Sequence, residues 1–439
     1  MRIGRTPPVI PTYEGEKAIQ QLATLTRIGS ASCDRKTESQ VAAIIEQVRN
    51  QGDAAIRELA KTFGDPLPET FAISQSAIAQ AKALVKQADQ AVMRKAAERI
   101  TSLGQAVMKN IKPVSLDYAE FSVGIQFSPV ARAACYVPSG RYPLPSTALM
   151  TALTARAAGV EEICILCPKP SAEIIFAATL AGVTEIYQIG GAQAIAAAAF
   201  GTESIKAADI IAGPGNSYVM EAKRQLQGTV GIDMLAGPSE IVIVADAVAS
   251  PQWLALDLLS QMEHGPDSRA YLLTDSSQLA ISVQQEIDLL AKNSHVSGHL
   301  IEAISGSAIF VLDSILACTE AVNRLAPEHV CLHVRQPEAV KGILRNYGAL
   351  FVGINSTVPY GDYMSGANHT LPTNRCARFS GALTPLTFLR PQSCLTVPAR
   401  ATELSSDTIR FAGIEGLNLH AAAARARISE AAAVQIVSS

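Results

Sequence analysis

Cysteine is sparse, with eight in 439 residues, and their spacing matches no disulfide framework, so reduced thiols are expected. A basic excess is also missing. Lys and Arg number 36 against 39 Asp and Glu, for a net charge of −3. Nothing is left over to neutralise a phosphate backbone, which argues against a dedicated nucleic-acid binder. Long apolar runs are absent too. The longest uncharged stretch, Ile186 to Thr202, is broken by Gly190, Gly191 and Gln193 and falls short of a membrane span. The N-terminal MRIGRTPPVIPTYEGEK carries Pro and charge where a signal peptide needs an apolar segment, so the expected compartment is the cytoplasm. Neither G-x-G-x-x-G after a strand nor a Walker loop is found. No short-period repeat or heptad pattern occurs either.

What is present is globular: 48% hydrophobic and 17% charged residues rule out a disordered chain. The length points to about three domains' worth of chain. Residues 1–30, with Pro7, Pro8 and Pro11, read as an arm. A helical region follows from about Ser39 to Ile111. In SQVAAIIEQVRN, Val41, Ile44, Ile45 and Val48 recur at helical spacing and Gly52 is the expected stop. KAAERITSLGQAVMKNI reads as a further amphipathic helix. From about 160, short apolar runs alternate with Ala-rich helical stretches: EICILCP, EIYQIGG, ADIIAGPGN, EIVIVAD, AYLLTD, AIFVLD, HVCLHV and ALFVGI. This alternation predicts α/β architecture with parallel-rich sheets covered by helices, and too many runs for one small sheet. The expected layout is two such domains with incomplete Rossmann-like topology. Residues 31–130 and 241–385 would form a discontinuous first domain, and 131–240 a second. The tail, 386–439, reads as irregular at first and then as Ala- and Arg-rich helix.

Two glycine-rich strand ends, Gly190-Gly191-Ala192-Gln193 and Gly213-Pro214-Gly215-Asn216, would let a ligand approach the backbone ahead of a helix N-terminus. The same pattern also makes an ordinary tight strand-to-helix turn. The seven histidines are His264, His295, His299, His329, His333, His369 and His420. Four of them sit beside acids or amides in polar segments. Gln261 and His264, three apart at the end of a helical pattern, would share one face as metal ligands must. His329 follows Glu328, His369 follows Asp362 by seven residues, and His420 follows Glu415 by five. Imidazole with carboxylate suits zinc, although such residues also cap helices and fill polar turns. HVSGH (295 to 299) reads as loop, and HVCLHV as strand. Cys164 and Cys167, a lone C-x-x-C in a strand pattern, would point to opposite faces and not clamp a metal.

Taken in order, GIDMLAGPSEIVIVAD…LALDLLSQMEHGPDS (231 to 268), GGAQAIAAAAFGTE, IIAGPGNSYVMEAKRQL, APEHV, GDYMSGANHTLPT and EGLNLHA resemble the histidinol dehydrogenase family over nearly the whole chain. The resemblance implies a homodimer that uses one zinc ion per subunit and oxidises L-histidinol to L-histidine through an aldehyde with two NAD. It implies Gln261, His264, Asp362 and His420 as zinc ligands, the last from the partner subunit, with residues 386–439 as a dimerisation tail. It implies Glu328 and His329 as the acid/base pair. Ser239, His369 and Glu415 would contact substrate along with the ligands and His329. Tyr136, Gln193 and Asn216 would contact NAD in the 131–240 domain.

The match departs in VPSGRYPLPSTALMTALTARAAGV. Family members usually have a second Gly where Ser139 sits and Pro where Thr154 sits, and Ala is common in place of Met262. This segment is more similar to a related branch, the sulfopropanediol dehydrogenases, which oxidise a sulfonated diol with zinc and NAD. Arg141 would favour an anionic substrate if it faced the pocket. It could equally face solvent or an NAD phosphate. The rival readings are therefore the same chemistry on another small polar alcohol, or a catalytically silent paralogue kept for binding or assembly.

Overall fold

The computed structural model describes residues 9–27, 35–139, 142–293 and 298–428. Arg141 and His295 fall outside them, as does the side chain of His299. The described residues fall into two compact units. One holds those of Met1–Ala106 and Val130–Phe388, the other those of Val107–Pro129 and Leu389–Ser439.

The first unit opens with a short strand, β1 (Thr12–Glu14), and the helices α1 (Gly15–Arg27), α2 (Arg35–Phe63), α3 (Gln75–Leu84) and most of α4 (Gln87–Lys109). The second unit contributes the hairpin β2 (Val114–Asp117) and β3 (Ser122–Pro129). Back in the first unit come β4 (Arg132–Tyr136), α5 (Pro145–Ala157), β5 (Glu162–Leu166), α6 (Ala172–Leu180), β6 (Glu185–Tyr187), α7 (Gly191–Phe200), β7 (Ile210–Ala212), α8 (Ser217–Leu226) and β8 (Gly231–Ile232). These strands form a five-stranded parallel sheet in the order β6-β5-β4-β7-β8. A second alternating run follows: β9 (Glu240–Ala245), α9 (Pro251–Met262), β10 (Arg269–Thr274), α10 (Ser277–Asn293), α11 (Gly298–Ser305), β11 (Ala308–Val311), α12 (Ile315–Leu325), β12 (His329–His333), α13 (Pro337–Lys341) and β13 (Ala349–Val352). It forms a six-stranded parallel sheet, β1-β11-β10-β9-β12-β13. The second unit closes with β14 (Leu389–Thr396), α14 (Thr402–Ile414) and α15 (Asn418–Arg425).

Strand periodicity explains the six-stranded sheet. In β9, Ile241 and Ile243 face one layer with Leu254 and Leu258 of α9, while Val242 and Val244 face the other with Val322 of α12 and Leu22 of α1. Both faces are apolar because both are covered, which is why the sequence shows continuous rather than alternating runs.

Three features differ from the sequence expectations. The arm is not wholly irregular: β1 pairs with β11 and α1 packs behind it. The helices of 35–84 were grouped with 241–385, but Val41, Ile44, Val48 and Ile56 of α2 are buried with Tyr136, Ile195 and Ile211 of the five-stranded sheet. Gly52, by contrast, is the expected stop: its φ of 53° ends the helical stretch that begins at Arg35, and a second stretch within α2 runs on to Phe63. Finally, the start of the tail is a strand, β14, antiparallel to β3. Among the described residues, no helix is long and apolar enough to cross a membrane.

Candidate active site

In the six-stranded sheet β9 is followed outward on one side by β10 and β11, while β12 and β13 lie on its other side. Chain direction across the sheet therefore switches between β9 and β12. At the amino ends of these two strands stand Glu240, which heads β9, and the pair Glu328-His329, of which His329 heads β12. Glu328 and His329 are 5% and 4% exposed. The Glu240 amide donates to Glu328 Oε2 at 2.9 Å, and His329 Nδ1 lies 3.1 Å from the Glu240 carbonyl oxygen. A carbonyl can only accept, so Nδ1 carries the proton and Nε2 is left as the ring's proton acceptor. His329 Nε2 is buried and has no hydrogen-bond partner among the described residues. Glu328 Oε2 is also 3.5 Å from Nδ1. Burial works against a charged ring here. The Glu328 carboxylate, with Asp362 and the Glu240 carbonyl, outweighs it and holds the His329 pKa up at about 9.

Helix α9 leaves the far end of β9 and runs back along the sheet, so its C-terminus returns to the same edge. It carries Gln261 and, just beyond, His264. Gln261 is 1% exposed, and its side-chain Nε2 has no partner among the described residues. Its backbone carbonyl lies 3.1 Å from His264 Nδ1, which directs Nε2 of that ring outward. Asp362 sits in a π-helical turn, Tyr360–Met364. That turn lies against the end of α9: burial raises the Tyr363 phenol pKa, and the Asp362 and Glu263 charges add to the shift. Asp362 also acts on the rings of His329 and His369. His369 reaches the Thr147 hydroxyl of α5 at 3.1 Å with Nε2 and the Asp362 carbonyl at 3.3 Å with Nδ1. Burial lowers its pKa. Ser239 directly precedes β9, and its carbonyl accepts from the Arg269 amide at 3.0 Å.

Gln261, His264, Asp362, Glu328, His329, His369 and Ser239 thus belong to the first unit, at or near one edge. Glu415 and His420 belong to the second, where Glu415 follows α14 and an exposed His420 lies on α15. Among the described residues no group of three or more His, Cys, Asp and Glu could hold a metal by itself. The first unit nonetheless offers a mixed donor set. An unpartnered buried amide, an imidazole oriented through its other nitrogen and a carboxylate suit a tetrahedral zinc ion that takes a further ligand from elsewhere.

The second expected site lies on the five-stranded sheet. Its strand order reverses between β4 and β7, and ligands bind outside the carboxyl ends of strands at such a point. Tyr136 ends β4, and its hydroxyl accepts from the Gly191 amide at 3.1 Å. Gln193, buried in the first turn of α7, donates to Asp65 Oδ2 at 3.3 Å. Asn216 caps α8 by accepting from the Val219 amide at 3.1 Å. Gly213, just after β7, has φ 121°, and a Cβ there would stand 2.2 Å from the Tyr136 carbonyl oxygen, so only glycine fits. These glycine-lined turns and the exposed start of α8 suit a dinucleotide phosphate.

Two groups holding this turn escaped the sequence reading. Lys223 and Asp233 form an ion pair with both side chains 0% exposed. Lys223 Nζ donates to the Gly213 carbonyl at 3.0 Å, and the Gly213 amide donates to Asp233 at 2.7 Å. Glu240 was also missed, although an acid at the head of the apolar run EIVIVAD is a visible anomaly. Its carboxyl is pushed up to about 8, first by burial and then by the Glu328 charge. Residues set aside earlier stay apart from this chemistry. His333 is buried at the opposite end of β12. Burial raises the pKa of the Cys164 and Cys167 thiols, which makes them poor nucleophiles.

Comparison with known proteins agrees with the sequence resemblance. The family model described as histidinol dehydrogenase matches residues 29–428. A histidinol dehydrogenase from Parasynechococcus marenigrum is 38% identical over 430 residues, covering 96% of this chain and 98% of that protein. One from Cereibacter sphaeroides is 40% identical over 398 residues, covering 88% and 91%. The crystal structure of histidinol dehydrogenase from Elizabethkingia anophelis superposes with a TM-score of 0.89 at 31% identity, over 95% of this chain and 98% of that one. With the α/β scaffold and the edge cluster in place, the chain belongs to the histidinol dehydrogenase family of oxidoreductases.

Proposed function

We propose that this protein oxidises L-histidinol to L-histidine in two two-electron steps, as a cytoplasmic homodimer using NAD and one zinc ion per subunit. The observation that carries the reading is the buried Glu328–His329 pair, whose unpartnered Nε2 shares an edge with the unpartnered Gln261 amide. Gln261, His264 and Asp362 would hold the zinc ion, with the partner subunit's His420 as fourth ligand. Tyr136, Gln193, Asn216 and the Gly213 turn would hold NAD. When bound, zinc supplies a Lewis-acid anchor for the substrate, and each NAD supplies one hydride acceptor.

The chain's own groups handle the protons. His329 Nε2 takes the alcohol proton as the carbon is oxidised to the aldehyde. A pKa of about 9 would keep that ring protonated at neutral pH; positive charge held at Asp362 would oppose this and lower the His329 pKa toward that of a working base. Glu328 takes a proton from the water that adds to the aldehyde, giving the hydrate whose oxidation yields the acid. Ser239, His369 and Glu415 would orient the substrate.

The test is NADH formation by zinc-loaded protein with L-histidinol beside small sulfonated and amino alcohols. Two NADH per histidinol, with histidine as product, is expected. A substitution separates the steps. Glu328→Gln should slow the aldehyde-to-acid step by about 100-fold or more and the first oxidation far less; equal losses in both would refute the assignment.

One observation favours a second reading, the same chemistry on another small polar alcohol. Where the family usually has Pro, Thr154 bonds back to the Met150 carbonyl, and Asn368 donates to both groups next to His369. Turnover of a different alcohol without turnover of histidinol would establish that reading. The absence of turnover on the whole panel, together with under-stoichiometric zinc, would instead revive the catalytically silent paralogue.

A further inference from the structure

Glu240 meets the catalytic pair through its main chain. Its N–H orients the Glu328 carboxylate and its C=O sets the His329 proton on Nδ1. Any residue but proline at 240 would supply those two groups, so the side chain needs its own account. Its Oε1 accepts from the Asn374 amide at 3.1 Å. Asn374 and Arg375 are consecutive non-glycine residues in the left-handed region, with φ of 51° and 64°. Such a turn costs conformational energy and persists only where its surroundings hold it. Three contacts do so: the Glu240 carboxyl, the Thr373 hydroxyl accepting from the Gly237 amide, and the Arg375 guanidinium on the Thr26 carbonyl. Two of the three return to the segment Gly237–Glu240. Strand entry and turn therefore brace each other, and the braced main chain is the one that grips Glu328 and His329.

We propose that Glu240 is a positioning residue for the oxidation: its carboxyl, locked onto the Asn374 amide, holds the main-chain groups that orient Glu328 and select the His329 tautomer. The inference rests on reading Glu328–His329 as the acid/base pair. It assigns Glu240 no contact with substrate or cofactor.

The experiment compares the full-length wild type with Glu240→Ala and Glu240→Gln. The readouts are kcat and KM for both oxidations, thermal stability, and the ¹⁵N spectrum of the histidine rings, with His329 assigned from its difference against H329N. Glu240→Ala should lower kcat about 10- to 100-fold while changing KM by less than about 3-fold. Recorded above about pH 9, where the His329 ring is neutral, the spectrum should also change from one tautomer to a mixture. Glu240→Gln keeps the acceptor oxygen and should restore kcat to within about 3-fold and the single tautomer. If Glu240→Ala does not fold, Glu240→Asp, which draws the oxygen back by one methylene, takes its place; a drop in kcat at steady KM supports the role.

An unchanged kcat and His329 signal in Glu240→Ala, or in Glu240→Asp, would overturn the proposal. So would equal losses in the Ala and Gln variants, which would assign the carboxyl a chemical task. If the wild type oxidises no alcohol at all, the functional reading fails by itself. The ring spectrum still decides whether Glu240 sets the tautomer.

Discussion

Adjacent residues in a strand point to opposite faces, yet Glu328 and His329 share one partner. Glu328 lies in the bend just before β12 and so escapes the alternation, which lets its carboxylate and the His329 ring converge on the Glu240 peptide. A third ionisable group, the half-buried Glu240, thereby stands beside the pair. Glu240 has a folded-state pKa of about 8 against an ordinary 4.5. The folded state therefore binds this proton more tightly than the unfolded chain. The stabilisation is complete below 4.5 and is lost as pH rises through about 8. Glu328, His329, Tyr271 and Cys376 share its field. Glu240→Gln cannot ionise, so its melting temperature should gain on the wild type from about pH 5 to about pH 9. Parallel stability curves over that range would show that Glu240 is already ionised in the wild type. At this scale helical spacing could pair Gln261, in the last turn of α9, with His264 just beyond its end. The sequence was silent on Asn374 and Glu240, which are 134 positions apart and meet only in the folded chain.

At the scale of elements, the β7–α8 turn shows how a buried ion pair can serve geometry. Lys223 and Asp233 hold the carbonyl and the amide of Gly213, so the turn at the candidate dinucleotide site is fixed from behind. Lys223→Met should cost about 3–5 kcal/mol because it strands a buried carboxylate. It should also raise KM for NAD more than KM for the alcohol. A denaturant titration with cofactor kinetics checks both, and equal changes in the two KM values would deny the turn its role. The elements that the sequence hid share a cause. β1 is three residues long, and β14, LRPQSCLT, is exposed along almost its whole length and contains Pro391. Neither has a buried face, so neither leaves an alternating pattern. Both exist because a distant partner, β11 or β3, supplies an edge to pair with.

At the scale of the whole molecule, the second unit exposes Leu395, Phe411, Ile414, Leu417 and Leu419 around the helices that carry Glu415 and His420. Apolar surface of that extent in one small unit fits an interface with a second copy. The proposed sharing of the site between subunits makes a sharp prediction. Asp362→Asn and His420→Asn should each be inactive alone. Subunits mixed and reassociated should regain roughly a quarter of wild-type activity, because half the dimers are mixed and each holds one intact site. No recovery on mixing would place both ligands in the same subunit's site.

The amino-acid order alone was enough for the α/β class, for most strands of the two parallel sheets, and for motifs characteristic enough to reveal the family. Each of these is written in local patterns: apolar runs of strand length, helical spacing, and contiguous blocks such as GPSEIVIVAD. The packing of α2 on the five-stranded sheet, the contacts of Glu240 with Glu328 and His329, and the clamp on Gly213 came only with the fold. They depend on which surfaces meet across many tens of residues, and burial and hydrogen bonding at such a distance leave no periodicity to read.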